Sequence, residues 1–195
     1  GVPVSERGAS TNEALEIMKR LFTEDDVHFD GKFNQLSGVT LEPKPLQQPS
    51  PPIWISGRKE AAWRRAARYG TGWLPYMYTP EMLEESNQQI AKYRNEEGNE
   101  NPVDPGLFIF FCCHEDNDTA VQYANERLSK QYNQDFSQMI DKYAIAGDPD
   151  RCVERLTEYV DAGARTIILS AASPMNYVER AESLMAQEVL PRYRK

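Results

Sequence analysis

Leu15, Met18, Leu21 and Phe22 recur at helical spacing along residues 10–22, while charged side chains hold the opposite face. This pattern predicts an amphipathic helix. From Val27 to Glu42 the apolar positions alternate weakly, with Gly31 and Gly38 as punctuation, and predict a short hairpin or extended excursion. Pro43, Pro45, Pro49, Pro51 and Pro52 then hold the chain extended, because proline neither donates to a ladder nor continues a helix. Beyond Pro52 the pattern changes. Short bursts that are apolar on both faces (53–55, 72–75, 107–113 and 166–169) alternate with longer amphipathic runs at 60–69, 79–97, 117–130, 148–162 and 175–194. A shorter helical piece is predicted over 135–143, and a turn-rich loop over 99–106. Thr79-Pro80 and Asp148-Pro149 each pair an N-cap side chain with proline at the first helical position. Gly70 is expected to end its helix as a left-handed cap, and Gly163 to stop another.

Strands apolar on both faces and separated by helices predict an α/β fold with a parallel sheet and right-handed crossovers. Two architectures satisfy this order: a four-stranded open sheet, or half of a TIM (βα)8 barrel. The helix at 10–22 precedes the first of these strands, as if it closed an earlier βα unit. It favours the half-barrel, as a single domain over residues 1–195. The opening Gly1-Val2-Pro3-Val4 reads like the inside of a loop, so the chain is expected to be a fragment or a processed product.

Composition narrows the function classes. A net charge of −8 argues against a nucleic-acid or anionic-membrane surface but leaves room for a local anion site. No run approaches the roughly 20 apolar residues that span a membrane, and no signal peptide opens the chain. Cys112, Cys113 and Cys152 have neither zinc spacing nor a disulfide framework, which suits a reducing cytoplasm. Cys112 and Cys113 are adjacent, so on a strand they point to opposite faces. With only His28 and His114, no metal site is expected.

Candidate chemistry gathers at the C-terminal ends of the strands, where parallel α/β folds bind ligands. Those positions are Ser56-Gly57-Arg58, Pro75-Tyr76, Cys113-His114 and Ser170-Ala171. Gly57 would let backbone approach a ligand, and the following N–H groups open a helix whose dipole favours an anion. Ser56 adds a hydroxyl, and Arg58 and Lys59 add charge. A phosphate suits this turn; the same residues also suit a plain strand-to-helix turn with solvent-facing basic side chains. Arg64, Arg65 and Arg68 read as an outer, solvated or salt-bridged face. Tyr76 and Tyr78 could line a pocket. His114 stands at a strand end with no partner visible in the sequence. No catalytic acid or base is assigned.

The run from RGASTNEALEIMKRLF through FDGKF and LEPKPLQQPSPPIWISG to GTGWLP resembles the luciferase-like monooxygenase family, related to bacterial luciferase. GDPDRCVERLTEYVDAGARTIILS and the closing VLPRYR resemble it too. The resemblance implies a (βα)8 barrel of about twice this length, of which the chain corresponds to the fifth to eighth strands. It implies an oxidoreductase using reduced FMN or a deazaflavin coenzyme on a small organic substrate, with a flavin reductase as a partner that could supply reduced flavin. It carries the cofactor-phosphate contact onto Ser56, Gly57 and Arg58, with Tyr76 and Thr79 from the next strand end as helpers. Lacking the first four strands, the chain exposes apolar sheet edges, and self-association into a homo-oligomer is expected. The alternative is a truncated, non-catalytic module that binds a flavin, a phosphate or a second copy.

Overall fold

The computed structural model describes residues 1–99 and 101–193. Within it the chain divides into two compact units, residues 1–73 with 90–103, and residues 74–89 with 104–193.

In the first unit, helix α1 (Arg7–Thr23) packs on helix α2 (Glu60–Tyr69). Leu15 and Ile17 are the buried residues of α1, whereas Met18 stands 41% exposed, so its apolar stripe is turned from the predicted one toward Ile17. Strands β1 (Val27–Asp30) and β2 (Gln35–Val39) form the predicted hairpin, antiparallel and broken by an irregularity between Val27 and Phe29. Glu13 of α1 holds the hairpin turn. Its carboxylate accepts from the backbone N–H groups of Lys32, Phe33 and Asn34 at 2.8, 2.9 and 3.2 Å. A side chain on Gly31 would lie 2.5 Å from the same carboxylate, which explains the glycine in this turn.

Strands β3 (Trp54–Ile55) and β4 (Gly72–Trp73) pair in parallel, Trp54 opposite Gly72 and Ile55 opposite Trp73. Helix α2 connects them and buries Ala62, Ala66, Ala67 and Tyr69. Gly70 does not close α2 in the left-handed conformation: its φ is −82° and its ψ 151°. The glycine is required by space instead, since a Cβ there would sit 2.8 Å from the Ala66 carbonyl and 3.1 Å from Ile55. The carbonyls at this helix end are satisfied by Arg94, which is 7% exposed. Its Nη1 donates to Ala67 O and Gly70 O at 2.5 and 3.0 Å, and its Nε donates to Asn101 O at 2.8 Å.

Helix α3 (Pro80–Glu96) contributes to both units, through residues 80–89 and 90–96. In the second unit its start is built as predicted: Thr79 Oγ1 accepts from the Met82 N–H at 3.3 Å, with Pro80 at the first helical position.

The second unit is organised by β5 (Asp104–Cys113), which begins inside the predicted loop. β5 pairs in parallel with β7 (Thr166–Ala171) along residues 106–111 and with β6 (Ala144–Gly147) along residues 110–113. The sequence pattern missed β6, whose four residues Ala-Ile-Ala-Gly are too few to show a period. The predicted helix over 135–143 shrinks to α5 (Ile140–Tyr143). Asp135 takes the Ser137 N–H at 2.9 Å, a local bond that competes with helix formation. Helices α4 (Asn117–Tyr132) and α6 (Pro149–Asp161) match expectation, and Gly163 follows α6 at φ +98°. The last helix is segmented into α7 (Val178–Leu184), a π turn (Met185–Val189) and a 3-10 turn (Leu190–Tyr193). Arg194, the predicted end of that helix, lies outside the described residues. Cys112 and Phe110 pack with Ala120, Ala124, Leu128, Phe136 and Ile140.

Candidate functional site

The turn between β3 and α2 carries the first three predicted site residues. Ser56 and Arg58 are exposed and Gly57 is half-buried. Among the described residues Ser56 makes no hydrogen bond, so its hydroxyl is available. Lys59, the residue before helix α2, is extended (φ −127°, ψ 160°) and provides no side-chain cap. Ala62 N–H in the first turn donates to Lys59 O at 2.8 Å, which leaves the Glu60 and Ala61 N–H groups without a partner among the described residues, just after Ser56, Arg58 and Lys59 in the chain. An anion would complete this turn, and a phosphate monoester or diester has the needed oxygens. The bareness of Gly57 has a further cause that the sequence did not show. A Cβ there would meet the Ala62 Cβ at 2.4 Å, so the glycine lets α2 lie close to the strand end.

The arginines farther along α2 are held by the protein. Arg64 pairs with Glu60 at 2.9 Å and lies 3.9 Å over the ring of Tyr93. Arg65 donates to Asn12 Oδ1 at 2.7 Å and to Gly8 O at 3.1 Å. Arg64 matches the predicted salt-bridged outer face, whereas Arg65 is half-buried and bonded to α1.

Tyr76 and Thr79 belong to the second unit. Tyr76 is 42% exposed and bridges in parallel to Phe108 of β5. Thr79 spends its hydroxyl on the cap of α3. Glu81 also bonds to Thr79, and that bond holds the Glu81 carboxyl below its usual range.

The turn after β5 has partners that the sequence concealed. His114 Nδ1 accepts from the Asp116 N–H at 2.9 Å, which fixes it as the acceptor nitrogen. Its ring stacks on Tyr177 at 4.8 Å and meets the edge of Tyr123 at 5.7 Å. Tyr177 donates to Glu115 Oε2 at 3.0 Å, and Arg180 donates to Glu115 Oε1 through Nε at 2.9 Å and through Nη2. The Arg180 bond is the largest influence that draws the Glu115 carboxyl down to about 2. Desolvation and the Glu115 bond push the Tyr177 phenol up. This set stabilises charge where it stands.

The turn after β6 is closed by its own side chains. Asp148 accepts from the Arg151 N–H at 2.8 Å and caps α6. Asn117 clasps the same residue, donating to its carboxylate at 3.0 Å and accepting its backbone N–H at 2.8 Å.

Residues 1–166 match the luciferase-like monooxygenase family. The chain belongs to that family. As a member, it is 25% identical over 215 residues to an F420-dependent glucose-6-phosphate dehydrogenase of Microbacterium testaceum, covering 97% of this chain and 62% of that protein. Among solved structures it resembles monooxygenase RslO1 from Streptomyces bottropensis at 24% identity, with a TM-score of 0.80 over 99% of this chain and 64% of the other. An F420-dependent secondary alcohol dehydrogenase superposes with a TM-score of 0.84 at 19% identity, over 100% of this chain and 64% of the other. The chain thus spans a little under two-thirds of the length of these relatives, and its α/β fold matches part of their barrel. The family is one of oxidoreductases with F420-dependent and flavin-dependent members.

Proposed function

We propose that this chain is the phosphate-holding part of an oxidoreductase that uses reduced FMN or a deazaflavin coenzyme on a small organic substrate. The observation that carries this reading is the open start of α2: no side-chain cap, a Ser56 hydroxyl with no hydrogen bond among the described residues, and positive charge at Arg58 and Lys59. Ser56, the backbone at Gly57 and Arg58 would hold the cofactor phosphate. The cofactor would supply the redox chemistry, while the chain binds and orients it. Sequence similarity to an F420-dependent dehydrogenase supports the deazaflavin alternative, and likeness to a monooxygenase supports the flavin alternative. A flavin reductase as partner and a cytoplasmic location belong to the same reading.

Titration with FMN and with F420, followed by quenching of cofactor fluorescence, tests it. Saturable binding of one of them, weakened at least tenfold by Ser56→Asp, is expected. Equal binding by the wild type and Ser56→Asp would remove Ser56 from the site. Gly57→Val is a poor test, because its side chain would collide with Ala62 whether or not a ligand binds.

A second reading is favoured by β7. Among the described residues this strand pairs with β5 alone, and Ile168 on it is 44% exposed. An apolar strand with one unpaired edge recruits another strand. We propose self-association through this edge, which sedimentation at micromolar concentration would test; a stable monomer would contradict it.

A further inference from the structure

The three cysteines are all free and buried, yet they occupy two different environments. Cys112 points into the apolar cluster formed with α4, and burial pushes its thiol up to about 12. Cys113 is the last residue of β5 and lies opposite Gly147 in the β5–β6 register. Cys152, in the first turns of α6, places its Sγ 3.5 Å from the Gly147 carbonyl. Both residues therefore converge on one backbone position, Gly147.

We propose that Cys113 and Cys152 form an oxidisable dithiol that closes to an intramolecular disulfide, tying the end of β5 to α6. The bond requires the sulfurs to approach to about 2 Å. The neighbouring Cys152 draws the Cys113 thiol below its usual range, while Cys113 and burial push the Cys152 thiol above its own. Cys113 is then the sulfur that reacts first, because the thiolate is the nucleophile. The oxidant is a hydroperoxide. The Cys113 thiolate attacks one peroxide oxygen and the O–O bond breaks, leaving a sulfenic acid and hydroxide or alkoxide. Cys152 then attacks the oxidised sulfur. The S–S bond forms, the S–O bond breaks, and the departing hydroxide takes the Cys152 proton as water. Two electrons pass from the thiol pair to the peroxide. Neither thiol is exposed, so the reaction waits on local opening at the start of α6 and is slower than that of a surface thiol.

The test is hydrogen peroxide treatment of the folded protein, alkylation after denaturation, and peptide mapping with and without reductant. The expected product is a reducible link between the peptides bearing Cys113 and Cys152, with loss of two of the three thiols. The same link should persist in Cys112→Ser protein and vanish in Cys152→Ala protein, where Cys113 should proceed to the sulfinic acid. Unchanged thiols, a link through Cys112, covalent dimers, or Cys113 over-oxidised beside an intact Cys152 would each overturn the proposal. The wild-type map decides the matter even if a buried variant fails to fold.

Discussion

Two strand-to-helix turns in this protein share a glycine conformation and differ in chemistry. After β3 the chain reads Ile55-Ser56-Gly57, and after Ala144 of β6 it reads Ile145-Ala146-Gly147. Gly57 and Gly147 both have φ of 157°, and at both a Cβ would strike the following helix. Past the glycine the two diverge. Asp148 caps α6 and is clasped by Asn117, so that helix start is closed by the protein itself. Helix α2 starts after Lys59 with no cap, beside an exposed serine. The difference shows how one glycine conformation serves two purposes. A carboxylate at the N-cap spends the helix dipole on stability, and a lysine there leaves it for a ligand.

The largest effect should come from the far end of α2. Arg94→Ala would strip three buried or half-buried carbonyls of their donor, and we expect a loss of about 3 kcal/mol in urea unfolding. A loss below about 1 kcal/mol would mean that water replaces the guanidinium.

Next come the two glycines. Gly57→Ala drives a Cβ to 2.4 Å from the Ala62 Cβ, which moves only with its helix. Gly147→Ala meets Arg151 Cδ and Asn117 Oδ1 at 2.7 Å, side-chain ends that can yield, and Arg151 Cβ at a less severe 2.9 Å. The backbone strain is common to both, so Gly57→Ala should cost more, about 2 kcal/mol against about 1. The reverse order would show that the two turns are not equivalent.

Exchanging the caps should give smaller changes of opposite sign. Asp148→Ala should destabilise by about 1 kcal/mol, and Lys59→Asp should stabilise by about 0.5 kcal/mol. Thermal melts of the two variants and the wild type would check both signs.

The smallest effect concerns the turn after β5, where Glu115 is bonded to Arg180 and Tyr177. Its folded pKa, about 2, is depressed below the ordinary 4.5. Its contribution is therefore complete above about pH 4.5 and fades as pH falls toward 2. Glu115→Gln should flatten this acid limb slightly, since both side chains are half-exposed and screened. An unchanged acid limb would show that the pair contributes nothing measurable.

Much of the fold was legible because its elements announce themselves locally. Thr79-Pro80 and Asp148-Pro149 mark helix starts with a cap and a proline, and both caps form. The both-face apolar runs at 53–55, 72–75, 107–113 and 166–169 all became parallel strands, with boundaries shifted by a few residues. What stayed hidden depends on partners distant in sequence. Ala144–Gly147 becomes a strand only because β5 offers it an edge. Gly70 looks like a helix cap, yet it is required by the nearness of Ile55, and the carbonyls it leaves are met by Arg94. The site was half legible. Ser56-Gly57-Arg58 could be located from a strand end followed by a helix, but Gly57 already has a packing reason in Ala62. The missing cap at Lys59 is what now distinguishes this turn.

The most direct test compares FMN with riboflavin, which differ only by the phosphate, in wild-type and Lys59→Asp protein, with F420 and its phosphate-free chromophore as the parallel pair. If the open start of α2 seats a phosphate, the wild type should prefer the phosphorylated ligand at least about tenfold, or about 1.4 kcal/mol. Lys59→Asp, which closes the turn as Asp148 closes its counterpart, should bring that ratio near unity without loss of fold. A preference that survives Lys59→Asp unchanged, or a wild type that binds both forms equally, would contradict the assignment.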